Sequence, residues 1–146
     1  MKSVIILGGG SGSRTGLKEN KIKMMINDKP MIMHSVDKFS QLGYKIVLVA
    51  NKEDYLYLQT LNPNIKITLG GMTRSDSVRN GLKEVNTKYV LIHDGARPFI
   101  DKTVIKKVEA SLKKYDAVLV CKPVINTIYT KSLNVLDRNE LLEAET

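Results

Sequence analysis

Four short stretches of this chain carry unusual residues, each after an apolar run, and the first and third suit chemistry on phosphate groups. The first, Gly8-Gly9-Gly10-Ser11-Gly12-Ser13-Arg14, comes directly after Val4–Leu7, with Lys21 downstream. Glycines let main-chain N–H groups come close to a phosphate chain and form an anion-binding concavity. The spacing fits neither GxxxxGK[ST] nor GxGxxG, which counts against a P-loop NTPase and a plain dinucleotide binder. A flexible surface loop is the bland alternative. The second stretch is Gly70-Gly71-Met72-Thr73-Arg74-Ser75-Asp76-Ser77. It reads either as turn chemistry before a helix cap or as main-chain groups placed to read the edge of a base. The third is His93-Asp94-Gly95-Ala96-Arg97-Pro98. A carboxylate at a strand end, with glycine beside it, suits Mg²⁺ shared with phosphates. An N-cap or an ion pair with Arg97 is the structural alternative for Asp94. His93 is expected to be packed or hydrogen-bonded, because no acyl-transfer nucleophile accompanies it. The fourth, Lys122-Pro123-Val124 leading to Asn126-Thr127, says little by itself.

Such residues work only if a scaffold gathers them, and the pattern between them supplies one. Val4–Leu7, Ile46–Ala50, Ile65–Leu69, Tyr89–His93 and Ala117–Val120 are short runs dominated by Val, Ile and Leu, as strands buried on both faces require. Ile32, Val36 and Phe39 fall at i, i+4, i+7, and Gly43 stands where a C-terminal glycine ends a helix. Val78, Leu82 and Val85 repeat the spacing behind Thr73 and Asp76, which stand at capping-box distance. Val104, Val108 and Leu112 repeat it again behind Asp101, an expected N-cap. Strand and helix alternate, which predicts an α/β fold: one domain over residues 1–146 with a doubly wound, Rossmann-like, mostly parallel sheet. Ligands bind such sheets beyond the carboxyl ends of the strands, where the four stretches lie. After Pro123 the pattern changes. Residues 124–138 alternate loosely around Thr130-Lys131-Ser132 and predict an antiparallel hairpin arm added to the sheet. Residues 140–146 read as the start of a helix of no more than about two turns.

At 146 residues the chain is long enough for one domain with a core and too short to expect two. Its net charge of +8 admits nucleic acid, a membrane surface or small anions as partners. The lysines are spread along the chain and aromatics are only 5%, so no nucleic-acid partner is expected. No apolar stretch approaches the roughly 18 residues of a membrane span, and no signal peptide is read at the N-terminus, so no membrane partner is expected. Cys121, the one cysteine, excludes an internal disulfide and fits a reducing cytoplasm. It is expected as a buried structural thiol.

Taken together, the stretches resemble the cytidylyltransferases of isoprenoid precursor synthesis, which join CTP to 2-C-methyl-D-erythritol 4-phosphate. "LGGGSGSR", "GGMTRSDSVRNGL", "VLIHDGARPF" and "DRNELLEAET" resemble that family's segments in order, and the His-Asp-x-Ala-Arg-Pro pattern is the most specific. The resemblance implies a nucleotidyltransferase fold and a role for each matching residue. Arg14 and Lys21 match the cations that stabilise the transferring α-phosphate. The backbone of Gly8, Gly9, Gly10, Ser11 and Gly12 would hold the triphosphate; Gly9, Gly71 and Ser77 would contact cytosine, and Gly95 the ribose. Asp94 would bind Mg²⁺. Arg97 and Thr127 match positions lining the sugar-alcohol phosphate site. Arg138, at the end of the hairpin arm, would reach into the partner of a homodimer and hold the acceptor phosphate.

The sequence departs from the family at three places. Pro-Lys-Gln followed by an aromatic becomes Asn20-Lys21-Ile22-Lys23, so Lys23 rivals Lys21 for the catalytic lysine. The aspartate before Thr127 becomes Asn126. The family continues for roughly a further third of a chain, which leads to the expectation of a fragment or a truncated form. Other readings are a ribitol 5-phosphate cytidylyltransferase, a non-catalytic nucleotide-binding module and, from charge alone, an RNA-binding domain.

Overall fold

The first apolar run becomes β1, Lys2–Leu7, in the computed structural model, which describes residues 1–9 and 19–145 of the chain. Gly10, Ser11, Gly12 and Arg14 therefore lie outside the described residues. Two compact units are present, Met1–Lys102 and Thr103–Thr146.

In the first unit a 3-10 turn, Lys21–Lys23, precedes a small hairpin of β2 (Met25–Ile26) and β3 (Lys29–Pro30). Its two central residues, Asn27 and Asp28, have φ of 46° and 59°. Two-residue hairpin turns favour such left-handed angles, and Asn and Asp tolerate them best among non-glycine residues. Then follow α1 (Met31–Gln41), β4 (Tyr44–Ala50), α2 (Tyr55–Leu61), β5 (Lys66–Leu69), α3 (Arg74–Lys83) and β6 (Val90–Asp94). Gly43, at φ 76°, closes α1 as expected. The sheet order is β5-β4-β1-β6, and every pairing in it is parallel.

Successive strand residues point to opposite faces. Ile6 lies beside His93 in register, and the His93 ring meets Phe39 of α1 edge-on. Ile5 faces the other way, where a Cβ on Gly81 of α3 would come within 2.8 Å of its Cγ2. Helices therefore cover both faces, and the doubly wound expectation holds. Val4, Ile5 and Ile6 are fully buried because β1 is central in the sheet.

The second unit holds α4 (Lys102–Ser111) from its second residue onward, β7 (Cys121–Pro123), β8 (Ile128–Tyr129), β9 (Val135–Leu136) and β10 (Leu142–Ala144). Four expectations are corrected here. Ala117–Val120 is not a strand; the ladder begins at Cys121 and pairs antiparallel with β10. Cys121 is half-buried rather than buried. The segment from residue 140 forms no helix: Arg138–Glu140 is a single 3-10 turn and β10 follows it. The hairpin arm is present as β8 paired with β9, a two-stranded sheet of its own rather than an addition to the parallel one.

Candidate functional site

From β1 the chain steps outward to β4 and β5, then returns to place β6 on the other side of β1. The strand order reverses between β1 and β6, and such a switch point is where open α/β sheets form a ligand crevice. Leu7 and Asp94 are register partners at the carboxyl ends of these two strands. Glycine completes the ladder at three strand ends: Gly8 N–H donates to Val49 O, Gly70 N–H to Ala50 O and Gly95 N–H to Leu7 O, each at 2.8 Å. Gly8, Gly9, Gly70, Asp94 and Gly95 thus share one rim of the sheet.

The rim continues into the start of α3. Thr73 caps the helix by accepting from Asp76 N–H, and the Asp76 carboxylate accepts from Thr73 N–H, so the expected capping box is formed. Ser77 Oγ accepts from Gly71 N–H at 3.1 Å and donates to Thr73 O at 3.0 Å. Gly71 is required by this closeness, since a Cβ there would sit 2.3 Å from that of Asp76. Arg74, to which sequence reading gives no role, places Nη2 3.0 Å from Asp94 Oδ1, while Arg97 Nε lies 3.7 Å from Oδ2. Two guanidinium groups therefore face the carboxylate expected to hold a metal. No cluster of three or more His, Cys, Asp or Glu side chains suited to a metal exists among the described residues. A single carboxylate such as Asp94 has the chemistry to hold Mg²⁺, an ion commonly bound by one or two carboxylates together with waters and substrate phosphates.

The two rival lysines are in different situations. Lys23 Nζ lies 2.5 Å from Asp54 Oδ1 and over the Tyr57 ring at 5.2 Å. Its hydrogen bond to Asp54 raises the ammonium pKa above the usual value, against a smaller opposing effect of burial. Lys21, half-buried, has no ion-pair partner among the described residues. Asp54 is 2% exposed. Burial pushes its carboxyl upward, yet hydrogen bonds from Lys23, Asn20 and Asn51 outweigh that and hold it below the usual range. Asn20 Nδ2 donates to both Gly8 O (2.7 Å) and Asp54 Oδ2 (2.8 Å), while its Oδ1 accepts from Ile22 N–H (3.3 Å).

His93 is packed, as expected. Its Nε2 lies 3.0 Å from Ser35 Oγ and 3.1 Å from Arg97 O, and Ser35 Oγ donates to the same carbonyl at 3.2 Å. A carbonyl only accepts, so the neutral Nε2–H tautomer satisfies the group. The network fastens the turn carrying Asp94 and Arg97 to α1. Burial, the largest influence, lowers the His93 pKa below 6.5. Below 6.5 the unfolded chain takes up a proton at this site while the folded protein does not, until pH reaches the lower folded pKa. Stability is therefore expected to fall as pH drops through that window. Urea unfolding at pH about 7.5 and about 5.5 should show the loss, and His93→Gln should flatten it. An unchanged slope in the variant would place the titration elsewhere.

In the second unit, Thr127 and Arg138 are exposed, and Arg138 Nη1 donates to Ile125 O at 3.0 Å. Ile125, Tyr129, Leu133 and Val135 are also exposed. Leu133 takes φ 64° in the hairpin turn, closed by Thr130 N–H donating to Asn134 O.

A family model described as 2-C-methyl-D-erythritol 4-phosphate cytidylyltransferase (IspD) matches residues 2–146. The enzyme of that description from Clostridioides difficile (strain 630) is 38% identical over a 160-residue alignment, covering 100% of this chain and 68% of that protein. Its counterpart from Bacillus thuringiensis (strain Al Hakam) is 31% identical, covering 100% and 70%. Among solved structures, 4-diphosphocytidyl-2C-methyl-D-erythritol synthase from Anaerococcus prevotii DSM 20548 superposes with a TM-score of 0.82 at 25% identity, over 99% of this chain and 68% of that one. The bifunctional IspDF from Campylobacter jejuni reaches a TM-score of 0.91 at 22% identity, a likeness of fold, over 99% and 39%. The chain spans about two thirds of the length of the two curated relatives.

Proposed function

The chain belongs to the 2-C-methyl-D-erythritol 4-phosphate cytidylyltransferase family, and on that premise we propose that it works at the crevice between β1 and β6. The reaction is a cytidylyl transfer of isoprenoid precursor synthesis. A phosphate oxygen of 2-C-methyl-D-erythritol 4-phosphate attacks the α-phosphorus of CTP in line. The bond to the β-phosphate breaks and pyrophosphate leaves with its electron pair. The observation that carries this reading is the register of Leu7 with Asp94 at the switch point, which brings the strand end followed by Gly8 and Gly9 beside the one that bears the carboxylate.

No covalent enzyme intermediate is required, so positioning and charge neutralisation carry the catalysis. Lys21 and Arg14 meet the charge on the non-bridging oxygens. Main-chain groups from Gly8 to Gly12 hold the triphosphate, with Gly9, Gly71 and Ser77 on cytosine and Gly95 beside the ribose. Asp94 would hold Mg²⁺, which when bound would neutralise triphosphate charge. On binding, Arg74 and Arg97 exchange the carboxylate for phosphate oxygens. Arg97 and Thr127 serve the acceptor. The exposed apolar side chains of the hairpin support a homodimer in which Arg138 of one copy holds the acceptor phosphate of the other. The single half-buried thiol suits the reducing cytoplasm. Both curated relatives carry the erythritol acceptor in their names, which favours it over ribitol 5-phosphate.

Calorimetric titration of the whole protein with CTP and Mg²⁺ tests the nucleotide site, and pyrophosphate release with each polyol phosphate tests the acceptor. Uptake of CTP and turnover with the erythritol compound are expected; no heat and no pyrophosphate would remove the assignment. Arg138→Ala should raise KM for the acceptor about 10- to 100-fold, the worth of a charged hydrogen bond, and leave CTP affinity unchanged. A shift in CTP affinity instead would take Arg138 out of the acceptor site.

A further inference from the structure

Asp54 occupies the N-cap position of α2, where an aspartate ordinarily accepts from the first turn of its own helix. Its side chain makes no such bond. Both carboxylate oxygens turn instead to the segment around Lys21: Oδ2 accepts from Asn20 and Oδ1 faces Lys23. We propose that Asp54 is a positioning residue for the transfer reaction, fixing the backbone on both sides of Lys21 so that its ammonium group meets the reacting phosphate. The proposal rests on the reading of Lys21 as catalytic.

The geometry brackets that one residue. Asn20 and Lys23 flank Lys21 and are tied to opposite oxygens of one carboxylate, at 2.8 and 2.5 Å. Between them Ile22 is 2% exposed, so the middle of the turn is anchored in the core. The Asn20 amide cannot be reversed without loss, since Gly8 O and the Asp54 carboxylate both demand its NH₂ group. Through that amide Asn20 is also tied to the backbone of Gly8. The backbone N–H of Asp54 is itself held by Asn51 Oδ1 at 2.7 Å. Lys23 balances the buried charge, so Asp54 does not draw the neighbouring Lys21 ammonium onto itself. Lys21 is thus delivered on a rigid turn with its charge uncommitted among the described residues. A displacement of about 1 Å in a positioned group can cost about a hundredfold in rate.

The test is a mutant cycle on the whole protein. Asp54→Asn keeps the side-chain shape and removes the charge that holds Lys23. It should lower kcat about 10- to 100-fold with KM for CTP changed less than about threefold. In a Lys21→Ala background the same substitution should cost less than about threefold more, because its route of action is already gone. Leu58→Ala is the reference: it removes a fully buried α2 side chain, lowers the unfolding midpoint and leaves kcat of the folded protein intact. Equal losses in both backgrounds would show that Asp54 acts on the fold and would overturn the proposal, as would a wild-type kcat in Asp54→Asn. Should Asp54→Asn not fold, Asn20→Ala, which leaves the Asp54–Lys23 pair in place, carries the same cycle: a loss confined to the Lys21 background supports the proposal, and equal losses overturn it. A Lys21→Ala protein with undiminished kcat would overturn the reading of Lys21 itself, a result the cycle reports separately.

Discussion

Replacing Lys21 by alanine is expected to lower kcat about 10²–10³-fold, or about 2.7–4 kcal/mol of transition-state stabilisation, while the protein stays folded. On the proposed role, the loss falls on kcat because the charge that Lys21 would meet grows only as the α-phosphorus is attacked. The fold survives because Lys21 makes no ion pair among the described residues. Lys23→Ala should show the opposite balance. It strips the cation from a carboxylate that is 2% exposed. The cost to stability should be about 1–3 kcal/mol, at the lower end because the Lys23 side chain is itself 28% exposed. Its effect on kcat should be smaller than that of Lys21→Ala and should arise through the loosened turn. Steady-state kinetics with urea unfolding on both variants separates the roles; a larger kcat loss in Lys23→Ala would exchange them.

What the sequence discloses follows the range of the interactions. β1 and β4 are legible because a strand covered on both faces needs an unbroken apolar run, a local property. The Thr73–Asp76 box and the glycine at 43 are legible for the same reason, since each is settled within a few residues. Ala117–Val120 has the same composition and fails: the ladder with residues 142–144 takes Cys121–Pro123 instead, and Leu119 stays 62% exposed. The β2–β3 hairpin escapes attention because its strands are two residues each, although Asn27-Asp28 between Ile26 and Lys29 is a turn signal. The candidate site divides along the same line. The glycine clusters and Asp94 stand out as strand-end residues. Asp54 reads as an ordinary helix cap, and its partner Asn20 is 34 residues away. Arg74 approaches Asp94 across 20 residues, by way of a strand order that periodicity alone does not reveal.

The site depends in turn on one aromatic side chain in the core. Phe39 is 1% exposed and meets two rings edge-on at 5.3 Å, those of Tyr44 and His93. It therefore packs α1 on the sheet and forms one wall for the histidine that holds Arg97 O. Phe39→Ala is expected to cost about 3–5 kcal/mol through lost burial and the cavity left behind. That is a large share of the roughly 5–15 kcal/mol that holds a domain together. Phe39→Leu keeps most of the volume and should cost about 1.5 kcal/mol or less. Urea unfolding of the two variants measures the difference. The alanine variant should also lose CTP affinity before it unfolds, because a loosened His93 ring no longer fixes the turn that carries Asp94. Equal stabilities for the two variants would mean that α1 does not need this ring. Normal CTP affinity in a folded Phe39→Ala protein would mean that the turn stands without His93.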